Sequence, residues 1–211
     1  MSYNLLRKSF YTREDACLIA RELLGKVIKT DIDGFITRGK IVETEAYIAP
    51  DDLACHAHGN RRTARTEVMF WEGGHAYVYI CYGIHHLFNV ITYIDGEAHA
   101  VLIRAVEPMD GMEVMLRRRA FAKAKYTLLN GPGKFTIAMG IDKKHNGISL
   151  LDPESPIVIE DHGIQVSEDM ILSGPRVGMS HHTQACGYYP WRYRIAGNKW
   201  SSKPDKVVYD W

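Results

Sequence analysis

Hydrophobic and polar positions along the chain repeat at two different periods, and the period sets the element expected. In "YTREDACLIARELLGK", Leu18, Ile19, Leu23 and Leu24 recur at helical spacing after Thr12 and Asp15, and Gly25 follows. That predicts an amphipathic helix capped at Thr12 and stopped at Gly25. The stretch "KVIKTDIDGFITRGKIVETEAYI" is two β-rich runs split by Asp33-Gly34, a turn pair that joins antiparallel strands. "AHAVLIRAVEP", a short apolar run bounded by Gly96 and Pro108, predicts a buried strand. "MEVMLRRRAFAKA" predicts a helix with Met112, Met115 and Leu116 inward, and "GPGKFTIAMGI" a second helix starting near Pro132. "PIVIED" and "WRYRIAG" add short strands. Meandering strands with a few helices, and no regular β-α-β alternation, give an α+β fold on a mixed, mainly antiparallel sheet. The polar stretch "DDLACHAHGNRRTARTEV" between two strands is long for a loop, and such loops are functional or disordered.

With 211 residues, 46% of them hydrophobic, the chain can bury one sizeable core, and a single domain over residues 1–211 is expected. A formal net charge of +1 gives no global sign of a polyanionic partner, so any nucleic-acid footprint must be local. One local excess exists: eight basic residues against the single acidic Asp142 between Arg117 and Lys144. On charge alone, a solvated helix face explains that run as well as a nucleic-acid contact. Cys17, Cys55, Cys81 and Cys186 form no CxxC pair, so reduced thiols are expected. No apolar run approaches the length of a membrane span, and the N-terminus lacks a signal-peptide core, which points to a soluble cytoplasmic protein.

Two places invite chemistry. In "GKIVETEAY", strand parity puts Glu43, Glu45 and Tyr47 on one face and Val42, Thr44 and Ala46 on the other. On parity alone, a solvent-facing polar stripe is the simpler account. In "AYVYICYGIHHLFNV", Tyr77 and Tyr79 share a face, whereas Tyr82 has the opposite parity and precedes Gly83, which permits a tight turn. That predicts a hairpin presenting Tyr82 at its tip, where a large aromatic is a poor core residue but a suitable wedge.

The motifs "IVETEAY", "MFWEGGHAYVYICYGIHHLFNV", "AVLIRAVEP" and "RVGMS" occur in the order and approximate spacing of the alkyladenine (3-methyladenine) DNA glycosylase family. The resemblance runs from about Leu6 to about Trp200. It implies a curved sheet flanked by helices, a protruding β-hairpin that enters the minor groove, and a monomeric, bacterial-type enzyme working on the nucleoid. The implied reaction is metal-free and cofactor-free hydrolysis of the N-glycosidic bond of damaged purines in double-stranded DNA, leaving an abasic site. By resemblance, Glu45 is the general base for the attacking water, and Arg104 together with the backbone carbonyl of Val177 also holds that water. Tyr47 and Tyr79 correspond to the tyrosines that stack the flipped base, His56 closes the pocket and offers its backbone amide, and Tyr77 is a further pocket tyrosine. Tyr82 corresponds to the intercalating residue, and Asn89 to the asparagine that excludes guanine through its exocyclic amine. Arg61, Arg62, Arg65 and Lys134 are the expected phosphate contacts. No lysine falls in the matched active-site motifs, which argues against Schiff-base chemistry.

Two other readings compete. Ten histidines, including His56-Ala57-His58, His85-His86 and His181-His182, suggest a metallohydrolase, yet the H-x-E and P-C-x-x-C pair of zinc deaminases is missing. A nonenzymatic DNA-binding module would use the same surface. Against it stand Glu45 and Arg104, since a pure binder has little reason to aim a carboxylate at a polyanion.

Overall fold

The computed structural model describes residues 3–121, 123–179 and 181–202. Ala122, in the stretch expected to be helical, and Ser180, the last residue of "RVGMS", lie outside the described residues.

The fold is one curled antiparallel sheet with a few short helices. Strands β1 (Asn4–Leu5), β2 (Val27–Ile32), β3 (Phe35–Ile48), β4 (Ala76–Cys81), β5 (His85–Thr92), β6 (His99–Asp110) and β7 (Ile157–Asp161) lie in the order β1-β7-β2-β3-β6-β5-β4. Strand β9 (Arg192–Ile195) pairs with β3 and with β8 (Ile171–Gly174). The β2–β3 turn is the expected one: Asp33 and Gly34 both have positive φ, 57° and 77°, the backbone that a two-residue hairpin requires.

Strand β3 organises the molecule. Its first half pairs with β2, while Glu43, Thr44 and Glu45 pair with Arg194, Tyr193 and Arg192 of β9, and β6 runs along the other edge. The β3–β6 register slips three times, between Arg38 and Gly39, between Ile41 and Glu43 and between Glu43 and Thr44, and the last two slips leave Val42 on one strand and Arg104 on the other without a direct opposite. A bulge re-aims the side chain it releases. Here the released side chain is Arg104.

Each face of the sheet carries its own core. Helix α2 (Ala16–Glu22) and helices α3 (Met112–Arg118) and α4 (Pro132–Met139) cover one face, where Ile19, Leu23, Val78, Ile103 and Phe135 are fully buried. On the other face the long polar stretch is ordered, and Ala57, Val68, Met69 and Phe70 pack on Tyr77, Ile91 and Ala100. Alternation along β4 thus sends Ala76 and Val78 into the first core and Tyr77 into the second. The outer edge of β4 is covered by side chains: Asn146 Oδ1 accepts from the Val78 amide at 2.9 Å, and Lys143 Nζ donates to the Val78 carbonyl at 2.9 Å. One member of the basic run therefore completes a strand edge.

Three boundaries differ from the sequence reading. Helix α2 is capped by Asp15, whose side chain accepts from Leu18 N at 2.9 Å, because Thr12 closes the preceding short helix α1 (Lys8–Tyr11). Strand β6 continues past Pro108, which is tolerated because it stands at the register shift beside Gly39. Helix α3 stops at Arg118, ahead of Ala120, whose φ of 53° cannot continue a right-handed helix. Among the described residues no helix is long and apolar enough to cross a membrane.

Candidate active site

Glu43 and Glu45 are both fully buried, so the solvent-facing stripe is overturned: with β6 on one edge and β9 on the other, β3 is an interior strand at this point. Each carboxylate has its own partners. Glu45 Oε1 accepts the Val177 backbone N–H at 2.7 Å and lies 3.2 Å from Arg104 Nη1, while Oε2 accepts the Tyr47 hydroxyl at 2.8 Å. Burial works against the Arg104 charge, but the Glu45 and Glu43 carboxylates more than offset it and hold the guanidinium protonated. Burial and the neighbouring Glu45 charge push the Tyr47 hydroxyl far above its ordinary range, so it remains a donor.

Beside Glu45 opens a cavity of about 500 Å³. Tyr47, His56, Tyr77, Tyr79, Asn89, Arg104 and Val177, all singled out by sequence, line it, and Met69, Ala100 and Leu102 supply apolar wall. Glu45 itself is fully buried behind this wall, bonded to the lining residues Tyr47, Arg104 and Val177. The Tyr77 and Tyr79 rings lie 5.4 Å apart at 29°, as their shared strand face requires, and the His56 ring meets Tyr79 edge-on at 4.6 Å. Arg65 Nη2 donates to His56 Nε2 at 3.2 Å, so the ring proton is assigned to Nδ1, which donates to the Tyr77 hydroxyl at 3.1 Å. Burial, assisted by the Arg65 charge, drops the His56 pKa to about 4, and burial raises that of Tyr77 to about 12. Both are neutral at physiological pH. Asn89 is buried, and its Nδ2 donates to the Tyr77 carbonyl at 3.0 Å, which fixes the orientation of its amide.

Sequence reasoning missed Arg176. Its guanidinium is fully buried and forms a two-pronged pair with Asp52, Nη1–Oδ2 2.5 Å and Nη2–Oδ1 2.7 Å. It also donates to the carbonyls of Ala46 and Cys186 and lies between the rings of Tyr47 and Trp191, at 4.7 and 5.1 Å. This one side chain ties together the end of β3, the loop after it and the segment carrying Val177. The pair spans 124 positions, so no local pattern could announce it. At Val177 the contact seen is its N–H on Glu45, a role additional to that expected of its carbonyl.

The β4–β5 hairpin turns at Tyr82 and Gly83, with φ of 50° and 73°. Tyr82 is 88% exposed at the rim of the cavity, and Ile84 beside it is 71% exposed. The basic residues divide. Arg61 is exposed; Arg62 pairs with Glu67 at 2.7 and 2.9 Å and covers the Phe70 ring; Arg65 is exposed, over the Tyr79 ring. Lys134, in the first turn of α4, donates to Asn130 Oδ1 at 3.0 Å. His181 and His182 pack ring to ring, and among the described residues no three His, Cys, Asp or Glu side chains gather as a metal-binding group.

Comparison with known proteins gives the family. The family model described as methylpurine-DNA glycosylase matches residues 9–199. A protein of Bacillus cereus (strain B4264) is 44% identical over 201 residues, covering 92% of this chain and 97% of its own. One of Clostridium botulinum (strain Alaska E43 / Type E3) is 43% identical over 206 residues, covering 94% and 99%, and one of Chlamydia felis (strain Fe/C-56) is 43% identical over 192 residues, covering 90% and 96%. All three carry the description "Putative 3-methyladenine DNA glycosylase". The chain belongs to the methylpurine-DNA glycosylase family, hydrolases acting on N-glycosyl bonds in DNA.

Proposed function

We propose that this protein extrudes damaged purines of the 3-methyladenine, hypoxanthine and ethenoadenine class from duplex DNA and hydrolyses their N-glycosidic bond without cutting the strand. The observation that carries the reading is Glu45, a buried carboxylate beside a tyrosine-walled cavity, with Arg104 and the Val177 amide on one oxygen and Tyr47 on the other. An enzyme that works on a base must take it out of the stack. Tyr47 and Tyr79 offer replacement stacking, each worth about 1–3 kcal/mol, and Tyr82 is the wedge that fills the gap left in the duplex. Glu45 then takes a proton from water, the oxygen bonds to C1′, and the electrons of the glycosidic bond leave with the purine. A cationic base departs neutral, whereas a neutral lesion also acquires a proton.

Arg61 and Arg65 are suited to grip phosphates, Arg62 after releasing Glu67 and Lys134 after releasing Asn130. Asn89 guards against guanine. Among the described residues no lysine lines the cavity, which favours attack by water over Schiff-base formation. The enzyme works as a monomer, in the cytoplasm, wherever DNA lies.

A duplex carrying one hypoxanthine, incubated with purified protein and then treated with alkali, is expected to break at the lesion after alkali and stay intact before it, with chelator making no difference. Breakage before alkali, or a bound but unaltered strand, would dismiss monofunctional excision. Tyr82→Ala is expected to lose about tenfold or more of its excision rate on duplex, the scale of a few kcal/mol of unstacking, with little change on single strands. Equal losses on both substrates would count against the wedge.

A further inference from the structure

Glu43 has no part in the mechanism above, yet its carboxylate accepts four hydrogen bonds. Its Oε1 accepts from Arg104 Nε at 2.9 Å, Arg192 Nε at 2.8 Å and Ser202 Oγ at 2.7 Å, and its Oε2 accepts the Ser202 amide at 2.7 Å. Strands β3, β6 and β9 and the segment of Ser202 therefore converge on one side chain. Arg104 is the bulged residue of β6, released from a direct cross-strand partner, so its direction is set by what it binds. Its Nε is held by Glu43, and the same guanidinium presents Nη1 to Glu45.

Charge follows the same layout. Glu45 is faced by Arg104 from β6, by the Tyr47 hydroxyl on its own strand, by Arg176 beside the Val177 amide, and by its cross-strand neighbour Arg192 on β9. Asp52 balances Arg176, and Glu43 is the carboxylate between Arg104 and Arg192. Without Glu43 the arginines would leave Glu45 under surplus positive charge. Such surplus draws the Glu45 carboxylate onto the arginines and away from the attacking water.

We propose that Glu43 is a positioning residue for excision: it aims Arg104 at Glu45 and offsets the arginine charge that would otherwise draw Glu45 away from the attacking water. The inference rests on the Glu45 reading above. Burial alone would raise the Glu43 pKa, but the adjacent Arg104 and Arg192 charges and the Ser202 donors outweigh burial and hold it below the ordinary carboxylate range. Glu43 is therefore charged throughout the working pH range.

The test is single-turnover excision of hypoxanthine from duplex, measured against pH, with duplex affinity and thermal melting recorded on the same preparations. Glu43→Gln is expected to lower the plateau rate about 10²-fold, the cost of misplacing a reacting group by roughly 1 Å. Affinity stays within about threefold, since Arg104 stands between Glu43 and the cavity. Glu43→Asp keeps the charge but withdraws it by one methylene, so its rate falls less than that of Glu43→Gln. A structural prop alone would lower melting temperature and duplex affinity along with the rate, whereas a positioning role lowers the rate and leaves affinity in place. A folded Glu43→Gln with wild-type rate overturns the inference; if that variant does not fold, a wild-type rate for Glu43→Asp overturns it. Loss of the Glu45 reading shows differently, as excision surviving in Glu45→Gln.

Discussion

Glu45→Gln is expected to lose at least about 10²–10⁴-fold in excision rate, the usual contribution of a positioned base, with binding of lesion-bearing duplex kept or improved. Gln preserves the shape of the side chain. One amide oxygen can still accept the Val177 N–H and face Arg104, and the Tyr47 hydroxyl can rotate to accept from the amide nitrogen in place of donating. Only the charge and the basic lone pair are lost. Binding does not suffer because a carboxylate near phosphates is repulsive, and removing it relieves that repulsion. Paired single-turnover and equilibrium-binding measurements check both halves. Undiminished excision by a folded variant would remove Glu45 from the role of base.

The largest effect on stability is expected at Asp52. Asp52→Ala would strand the Arg176 guanidinium in a fully buried position, and breaking a buried pair in this way costs about 3–5 kcal/mol. For a chain of this length that is a fall of roughly 10 °C in melting temperature. Excision should fall with it, since Arg176 anchors the Val177 segment and stacks on Tyr47. Replacing both partners by apolar residues of similar volume should recover most of the stability, because the desolvation of the pair is then avoided. Calorimetry of the single and double variants checks this. A single variant within about 1 kcal/mol of wild type would mean that the pair contributes little to holding the loop.

What could be read in the sequence was local. Asp33-Gly34, the start of a helix at Pro132 and the shared face of Tyr77 and Tyr79 each follow from the backbone needs or side-chain period of a few consecutive residues. The spacing predicts a cap at Thr12, and the short helix ending at Tyr11 moves it to Asp15. The stripe of Glu43 and Glu45 could not be judged by alternation, because whether it meets water depends on β9, about 150 residues away. Long-range pairings escape for the same reason: Arg176 with Asp52 and Glu43 with Arg192 join distant segments and leave no periodic trace. The resemblance named the pocket residues one by one, and the fold adds what holds them. Arg65 is an example, expected on a phosphate and found donating to His56.

The most direct measurement of the central claim is chromatographic detection of the free base released from a duplex containing a single hypoxanthine. Wild-type protein is predicted to release one hypoxanthine per duplex and leave an unbroken strand with an abasic site, while Glu45→Gln binds the duplex and releases none. Hypoxanthine remaining attached to the sugar after incubation with folded, DNA-bound wild-type protein would contradict it.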